Sequence, residues 1–255
     1  MKSDAGALAS IDISARSLRL PSVRRRAQSQ AGEAERDHAT YLEFRANVLA
    51  AEFDDREERR RQRRISAAGF PRLKCLSNFD LYAATNVNAA TIAMLSSGGY
   101  LERGEPVVML GDSGTGKSHL LIVLGLKACE QGHSVRYVTC AQLVNELAEA
   151  ADKRRLSKLV ARYGRVDLLL LDELGYVALD ARGAELLFQI LTEREEKSSV
   201  TTASNLPFSE WGKVISDVRL VAAIIDRLTF NATIIETGSD SYRLCATKAK
   251  QALKS

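Results

Sequence analysis

Cysteine is scarce in this sequence and shows no pairing pattern. The four cysteines, Cys75, Cys129, Cys140 and Cys245, stand apart without C-x-x-C spacing, and His38, His119 and His133 supply no ligand set. Neither a disulfide framework nor a zinc site is suggested, and a reduced, cytoplasmic chain is the expectation. The Asn231-Ala232-Thr233 sequon is then a coincidence. Long apolar runs are also missing. None approaches the ~20 residues needed to cross a bilayer, so no membrane association is expected. Aromatic residues make up only 6% of the chain, which leaves few platforms for stacking bases, and zinc-finger spacing is absent. Arg16, Arg19 and Arg24-Arg25-Arg26 among serines faintly resemble an organellar transit peptide, but Asp4 and Asp12 interrupt the pattern.

What is present begins with Gly111-Asp112-Ser113-Gly114-Thr115-Gly116-Lys117-Ser118, a complete phosphate-binding loop. It follows the apolar run Val107-Val108-Met109-Leu110 and opens a helix-like segment from His119 to Leu124. Glycines let consecutive backbone amides curl around phosphate oxygens, and the helix N-terminus adds partial positive charge. Lys117 and Ser118 are then spaced to reach the outer phosphates and Mg²⁺, so a nucleoside triphosphate is the expected ligand.

Two further segments read as strands with polar ends. Val166-Asp167-Leu168-Leu169-Leu170-Leu171-Asp172-Glu173 is a continuous apolar run closed by two carboxylates, the pattern of a buried parallel strand emerging at a site. Asp172 would support the Mg²⁺ shell, and Glu173 would orient and polarise the attacking water, a pairing that points to hydrolysis. Val200-Thr201-Thr202-Ala203-Ser204-Asn205-Leu206-Pro207 is rich in β-formers and closed by proline, which would set Asn205 beside the γ-phosphate and the water. Arg227, in Ile224-Ile225-Asp226-Arg227-Leu228, has no role that chemistry alone assigns.

The net charge of +4 is uneven. Residues 1–76 hold 16 Lys/Arg against 11 Asp/Glu, and residues 77–255 hold 20 against 21. Arg59, Arg60, Arg61, Arg63 and Arg64 follow an acidic stretch from Asp54, an order that suits a helix macrodipole and allows pairs such as Asp55 with Arg59. Two readings stand: a self-paired helix end, or a cluster that neutralises DNA phosphates with salt-sensitive, sequence-tolerant affinity. Lys153-Arg154-Arg155 and Lys158 form a second basic cluster with the same two readings.

The order of phosphate loop, Leu169–Tyr176, Ser204–Trp211, Ile225–Leu228 and Ser241–Leu244 resembles the IstB-like ATP-binding family, transposition helper ATPases of insertion sequences related to DnaC helicase loaders. Tyr41–Phe44, Asp55–Arg61 and Phe70–Lys74 extend the resemblance upstream, so it covers roughly residues 18 to 245. It implies an α/β, P-loop NTPase (AAA+) fold: a three-layer core with a central parallel sheet over 70–245, preceded by a small helical, basic region over 1–69, of which 1–17 would be unstructured. A tail of residues 246–255 would be too short for a helical lid. The resemblance further implies ATP and Mg²⁺ as ligands, ATP hydrolysis stimulated by DNA, and Arg227 as an arginine finger reaching a neighbouring subunit. Its implied partners are double-stranded DNA, further copies of the chain, and a transposase of the IstA-like kind. A DnaC-like helicase loader and a nucleotide-gated DNA adaptor with little hydrolysis are the alternatives. Asp112 departs from the uncharged residue usual at its place in the family's loop, and a carboxylate there is unfavourable near phosphates unless it faces solvent. A small-molecule kinase would need an acceptor pocket and a closing lid, whereas the Asp-Glu pair suits water activation.

Overall fold

The computed structural model describes residues 2–76, 79 and 86–239, in two compact units that divide between Arg63 and Arg64. Of residues 76–81, only Leu76 and Phe79 are described, and the Ser241–Leu244 motif and the 246–255 tail lie outside the described residues.

The first unit is helical: α1 (Lys2–Ser17), α2 (Pro21–Arg36) and most of α3 (Tyr41–Ala68). Helix α1 occupies the stretch expected to be unstructured. Its composition is compatible with a helix, Asp12 accepts from Arg16 one turn on at 3.0 Å and also pairs with Arg24 of α2, and Ala15 is buried. Pro21 opens α2 at a position where its missing N–H costs nothing. No side chain at Leu20 caps that helix. The cap comes instead from α3, where the buried Glu52 accepts from the Ser22 and Val23 amides at 2.8 and 3.2 Å and pairs with Arg56 and Arg59. Thr40 and Glu43 form the reciprocal hydrogen bonds that start α3.

The second unit is a parallel five-stranded sheet with helices on both faces. Its strands are β1 (Val107–Leu110), β2 (Val135–Thr139), β3 (Leu168–Leu174), β4 (Ser199–Ser204) and β5 (Thr233–Glu236), in the order β2-β3-β4-β1-β5. The leucine run of β3 divides by the two-residue period of a strand: Leu168 and Leu170 enter one core, Leu169 and Leu171 the other. The first core holds α4 (Ala89–Ser96), α5 (Gly99–Glu102) and α6 (Lys117–Glu130), with Leu120, Leu121 and Leu124 against the sheet. The second holds α7 (Cys140–Asp152), α8 (Leu156–Gly164), α9 (Ala181–Arg194) and α10 (Val218–Thr229) around the buried Trp211. Both faces being covered explains why the strand reads as a continuous apolar run.

Arg194 closes the far end of this sheet. Its buried guanidinium donates to the carbonyls of Tyr163, Val166, Asp167 and Ser199, and burial pushes its pKa down to about 10. Because β4 lies between β1 and β3, the C-terminal ends of these three strands are neighbours, and that is where polar residues collect.

The Glu52 cap makes the first unit sensitive to acid. Burial pushes this carboxyl up, but the Ser22 and Val23 amides with Arg56 and Arg59 outweigh it and hold it below the usual glutamate value of 4.5. A lowered folded-state value gives stability that is present above the unfolded value and lost as pH falls through the folded one. Amide exchange at Ser22 and Val23 should therefore accelerate as pH drops below about 4.5, after correction for intrinsic rates. Glu52→Gln should remove most of that dependence; a pH-independent protection in the parent chain would show that the cap contributes nothing.

Candidate functional site

The phosphate loop joins β1 to α6. Gly111, Gly114 and Gly116 adopt positive φ of 147°, 92° and 100°, the left-handed region that non-glycine residues avoid. At Gly116 a side chain would also strike the Phe79 ring, 2.6 Å from where its Cβ would stand. Lys117 is buried at the start of α6, its ammonium donating to the carbonyls of Gly111 and Asp112 at 2.5 and 2.7 Å. The charge is thus held inside the curl of the loop. Asp112 and Ser113 are exposed, so the Asp112 carboxylate keeps its contact with solvent.

The loop is braced from β5. Thr237, just past that strand, shares a 2.6 Å hydrogen bond between its hydroxyl and that of Thr115. It also donates through its backbone amide to the Leu110 carbonyl at 2.8 Å, and the Asp112 amide donates to the Gly238 carbonyl at 3.0 Å. Phe79 packs edge-on to His119 with ring centroids 5.3 Å apart, and burial lowers the His119 pKa.

Across the sheet end, Asp172 of β3 is buried, only 3% exposed. Ser118 donates to its Oδ1 at 3.1 Å and Tyr137 of β2 to its Oδ2 at 2.7 Å. The Glu173 amide also donates to Oδ1, at 2.9 Å. Burial and this neighbouring carboxylate push the Tyr137 hydroxyl well above its ordinary pKa, so it stays a donor. Glu173 itself is exposed and takes φ of 59° where the β3–β4 register slips between Leu171 and Leu174. Such a bulge turns consecutive side chains out of strict alternation. Asn205 follows β4 in a turn held by Ser204, which accepts from the Leu206 amide at 3.1 Å, and by Trp211, which donates to the Leu206 carbonyl at 3.1 Å. The Asn205 Oδ1 is buried and has no hydrogen-bond partner among the described residues.

Lys117, Ser118, Asp172, Glu173 and Asn205 therefore share the C-terminal edge of three adjacent strands. This donor set suits a polyphosphate and a hard cation: amides and an ammonium for anionic oxygens, a hydroxyl and a carboxylate for Mg²⁺, and one unpartnered amide oxygen beside them. Arg227 is not part of it. It lies on α10 by a cavity of about 270 Å³ at the opposite end of the sheet, lined also by Pro106 and Val200. There it pairs with Glu195 at 2.8 Å and Asp226 at 3.1 Å and sits 5.7 Å from the centre of the Phe188 ring. Tyr137 and Thr237 went unread in the sequence, since each reaches the site from another strand; a tyrosine two residues before a strand end was the only signal.

The strand order, the loop between β1 and α6, and the acidic end of β3 define a P-loop nucleotide-binding protein of the AAA+ class. A family model described as IstB-like ATP binding protein matches residues 13–251, and the chain belongs to that family. It is 34% identical over 212 residues to a protein of insertion sequence IS21 from Pseudomonas aeruginosa named for ATP binding, covering 83% of this chain and 80% of that one. It is 33% identical over 227 residues to the corresponding IS5376 protein of Geobacillus stearothermophilus, covering 89% and 90%. Among solved structures, AMPPCP-bound DnaA from Aquifex aeolicus aligns with a TM-score of 0.57 and 23% identity over 71% of this chain and 55% of that one. DnaI aligns with a TM-score of 0.54 and 20% identity over 64% and 90%. Both show the same fold.

The brace from Thr237 yields a test. Thr237→Val keeps the shape and removes the hydroxyl, so Thr115 loses one of its three partners and the Leu110 carbonyl loses a donor at 3.2 Å. Of these two bonds only the one to Thr115 holds the loop, and its loss, about 1 kcal/mol, corresponds to roughly fivefold weaker ATP binding in a fluorescent-nucleotide titration. Unchanged affinity would mean that the loop holds its shape without β5.

Proposed function

We propose that this protein hydrolyses ATP with Mg²⁺ as an oligomer on double-stranded DNA, and that it assists a transposase in DNA transposition. The observation that carries the hydrolysis is the convergence of Lys117, Ser118, Asp172, Glu173 and the unpartnered Asn205 at one sheet edge. The insertion-sequence names of its relatives support the transposase partner over a helicase-loading role.

In this reading the amides of residues 111–118 and the Lys117 ammonium hold the triphosphate and take up charge as the terminal phosphoryl group departs. Ser118 and Asp172 are the side chains that would hold Mg²⁺, which would supply neutralisation of the phosphate charge. Tyr137 fixes the rotation of the Asp172 carboxylate by occupying its second oxygen. Glu173, turned outward by the bulge, accepts the proton of the attacking water, and Asn205 orients that water. Arg227 acts in trans: it stands at the opposite end of the sheet from its own loop, so only a neighbouring copy's triphosphate is open to it. Its pairing with Glu195 must then be exchanged for phosphate.

Turnover measured with and without duplex DNA tests the whole reading. Lys117→Ala, Glu173→Gln and Arg227→Ala should each lose at least about 100-fold in rate. Mixing the Glu173→Gln and Arg227→Ala proteins should restore part of it, because one supplies the arginine and the other the intact site. No recovery at any mixing ratio would sink the trans assignment. Tyr137→Phe should weaken Mg²⁺-dependent nucleotide binding about 10-fold while leaving binding in EDTA unchanged, a split that general unfolding would not produce.

A further inference from the structure

The arginine cluster at residues 59–64 is largely neutralised within the protein. Arg59 pairs with Glu52 at 3.3 Å, Arg60 with Glu57 at 2.5 Å and Arg61 with Glu58 at 3.1 Å. Arg64 donates through Nε to the Cys129 carbonyl at 2.9 Å. Three of the five arginines are thus paired with acids three to seven residues upstream, Glu52 being shared with Arg56, and Arg64 is held by a carbonyl.

Helix α8 is different. Its Leu156, Leu159, Val160 and Tyr163 pack into the core, which turns the opposite side outward. That side carries Arg155, Lys158, Arg162 and Arg165, spaced by three and four residues and so aligned on one face. None of the four has an acidic partner among the described residues. Arg155 and Lys158 also sit at the N-terminal end of the helix, whose first turn holds no acid, so they oppose the helix dipole and cost it local stability. A face selected only for solubility would intersperse both signs.

The four side chains line a concavity of about 610 Å³ together with the end of α7. Arg162 also lines a second, of about 220 Å³, with Arg64 and Arg136, so the basic surface is continuous across both. The two acids at its border are already engaged: Glu146 accepts from Tyr163 at 2.8 Å and lies 3.9 Å from the Arg136 guanidinium, and Glu149 accepts from Lys153 at 3.1 Å. No aromatic side chain is exposed on it. The chemistry fits a row of phosphates, which guanidinium groups bind in fork geometry, and offers nothing for reading bases.

We propose that the outer face of α8, formed by Arg155, Lys158, Arg162 and Arg165 and continued by Arg136, is the track that holds the phosphate backbone of duplex DNA. The proposal rests on the DNA reading above and assigns it to the ATPase unit in place of the arginines at 59–63. Binding along this face is independent of base sequence.

The experiment measures affinity of the full chain for a labelled duplex of mixed sequence across a sodium chloride series. One variant combines Lys158→Gln, Arg162→Gln and Arg165→Gln; another combines Arg60→Gln, Arg61→Gln and Arg63→Gln. Each lost phosphate contact lowers the slope of log affinity against log salt by about 0.9, so the α8 variant should lose roughly 2 to 3 units of slope and the other variant less than about 1. A charge-preserving variant, Lys158→Arg with Arg162→Lys and Arg165→Lys, should keep most of the slope, and all variants should bind ATP as the parent does. An unchanged slope in the α8 variant, or the larger loss falling on the 60–63 variant, overturns the proposal while the DNA reading stands. Loss of slope in the charge-preserving variant as well would trace the effect to fold and would also overturn it. A parent chain that ignores DNA but binds a polyglutamate peptide through α8 would assign the face to an acidic protein partner and remove the DNA reading itself.

Discussion

A carboxylate taken out of water organises the nucleotide end of this molecule. Asp172 is buried, and a buried acid is tolerated only where hydrogen bonds replace its lost hydration, at a penalty of several kcal/mol otherwise. Its donors come from three places in the chain: Ser118 at the start of α6, Tyr137 on β2, and the amide of Glu173. Satisfying it therefore requires β2 to pair with β3 and the phosphate loop to approach across β4, which is the observed strand order. The polar requirement of one side chain and the topology of the sheet are the same constraint seen from two ends.

That dependence also explains what could be read without coordinates. The phosphate loop and the Leu168–Glu173 run were legible because each is a short local pattern in which backbone geometry and residue type agree. The parallel sheet followed from the unbroken apolar run of β3, and the structure divides its leucines between two cores as a doubly covered strand must. Tyr137 and Thr237 escaped because their importance lies in a partner 35 or 122 residues away. Glu52 escaped for the same reason: nothing near Ser22 in the sequence announces that its amide will be capped from another helix. The anticipated pair of Asp55 and Arg59 took another form as well, since Asp55 faces Arg25 and Arg26 while Arg59 reaches its backbone carbonyl.

Arginine illustrates how little a letter says about its use. Arg194 is an internal clamp, spending its donors on four carbonyls where strands begin. Arg227 lies over Phe188 between two carboxylates, held in a definite pose yet partly exposed. Arg59, Arg60 and Arg61 of α3 are paired along their own helix, whereas the arginines of α8 have no acidic partner among the described residues. Composition fixed how many there are; only packing distinguishes structural from available charge.

The bulge in β3 gives the strand end a division of labour. In a regular strand, residues 172 and 173 would point to opposite faces and be tied to the same ladder. Here the ladder skips from Leu171 to Leu174, and the left-handed turn at Glu173 releases that side chain from the register while leaving Asp172 locked beneath it. Position 173 is thus separable for side chains that accept a left-handed backbone, since its amide and not its side chain is what Asp172 uses. Chemistry at this edge can be retuned by one substitution in a scaffold that does not register the change.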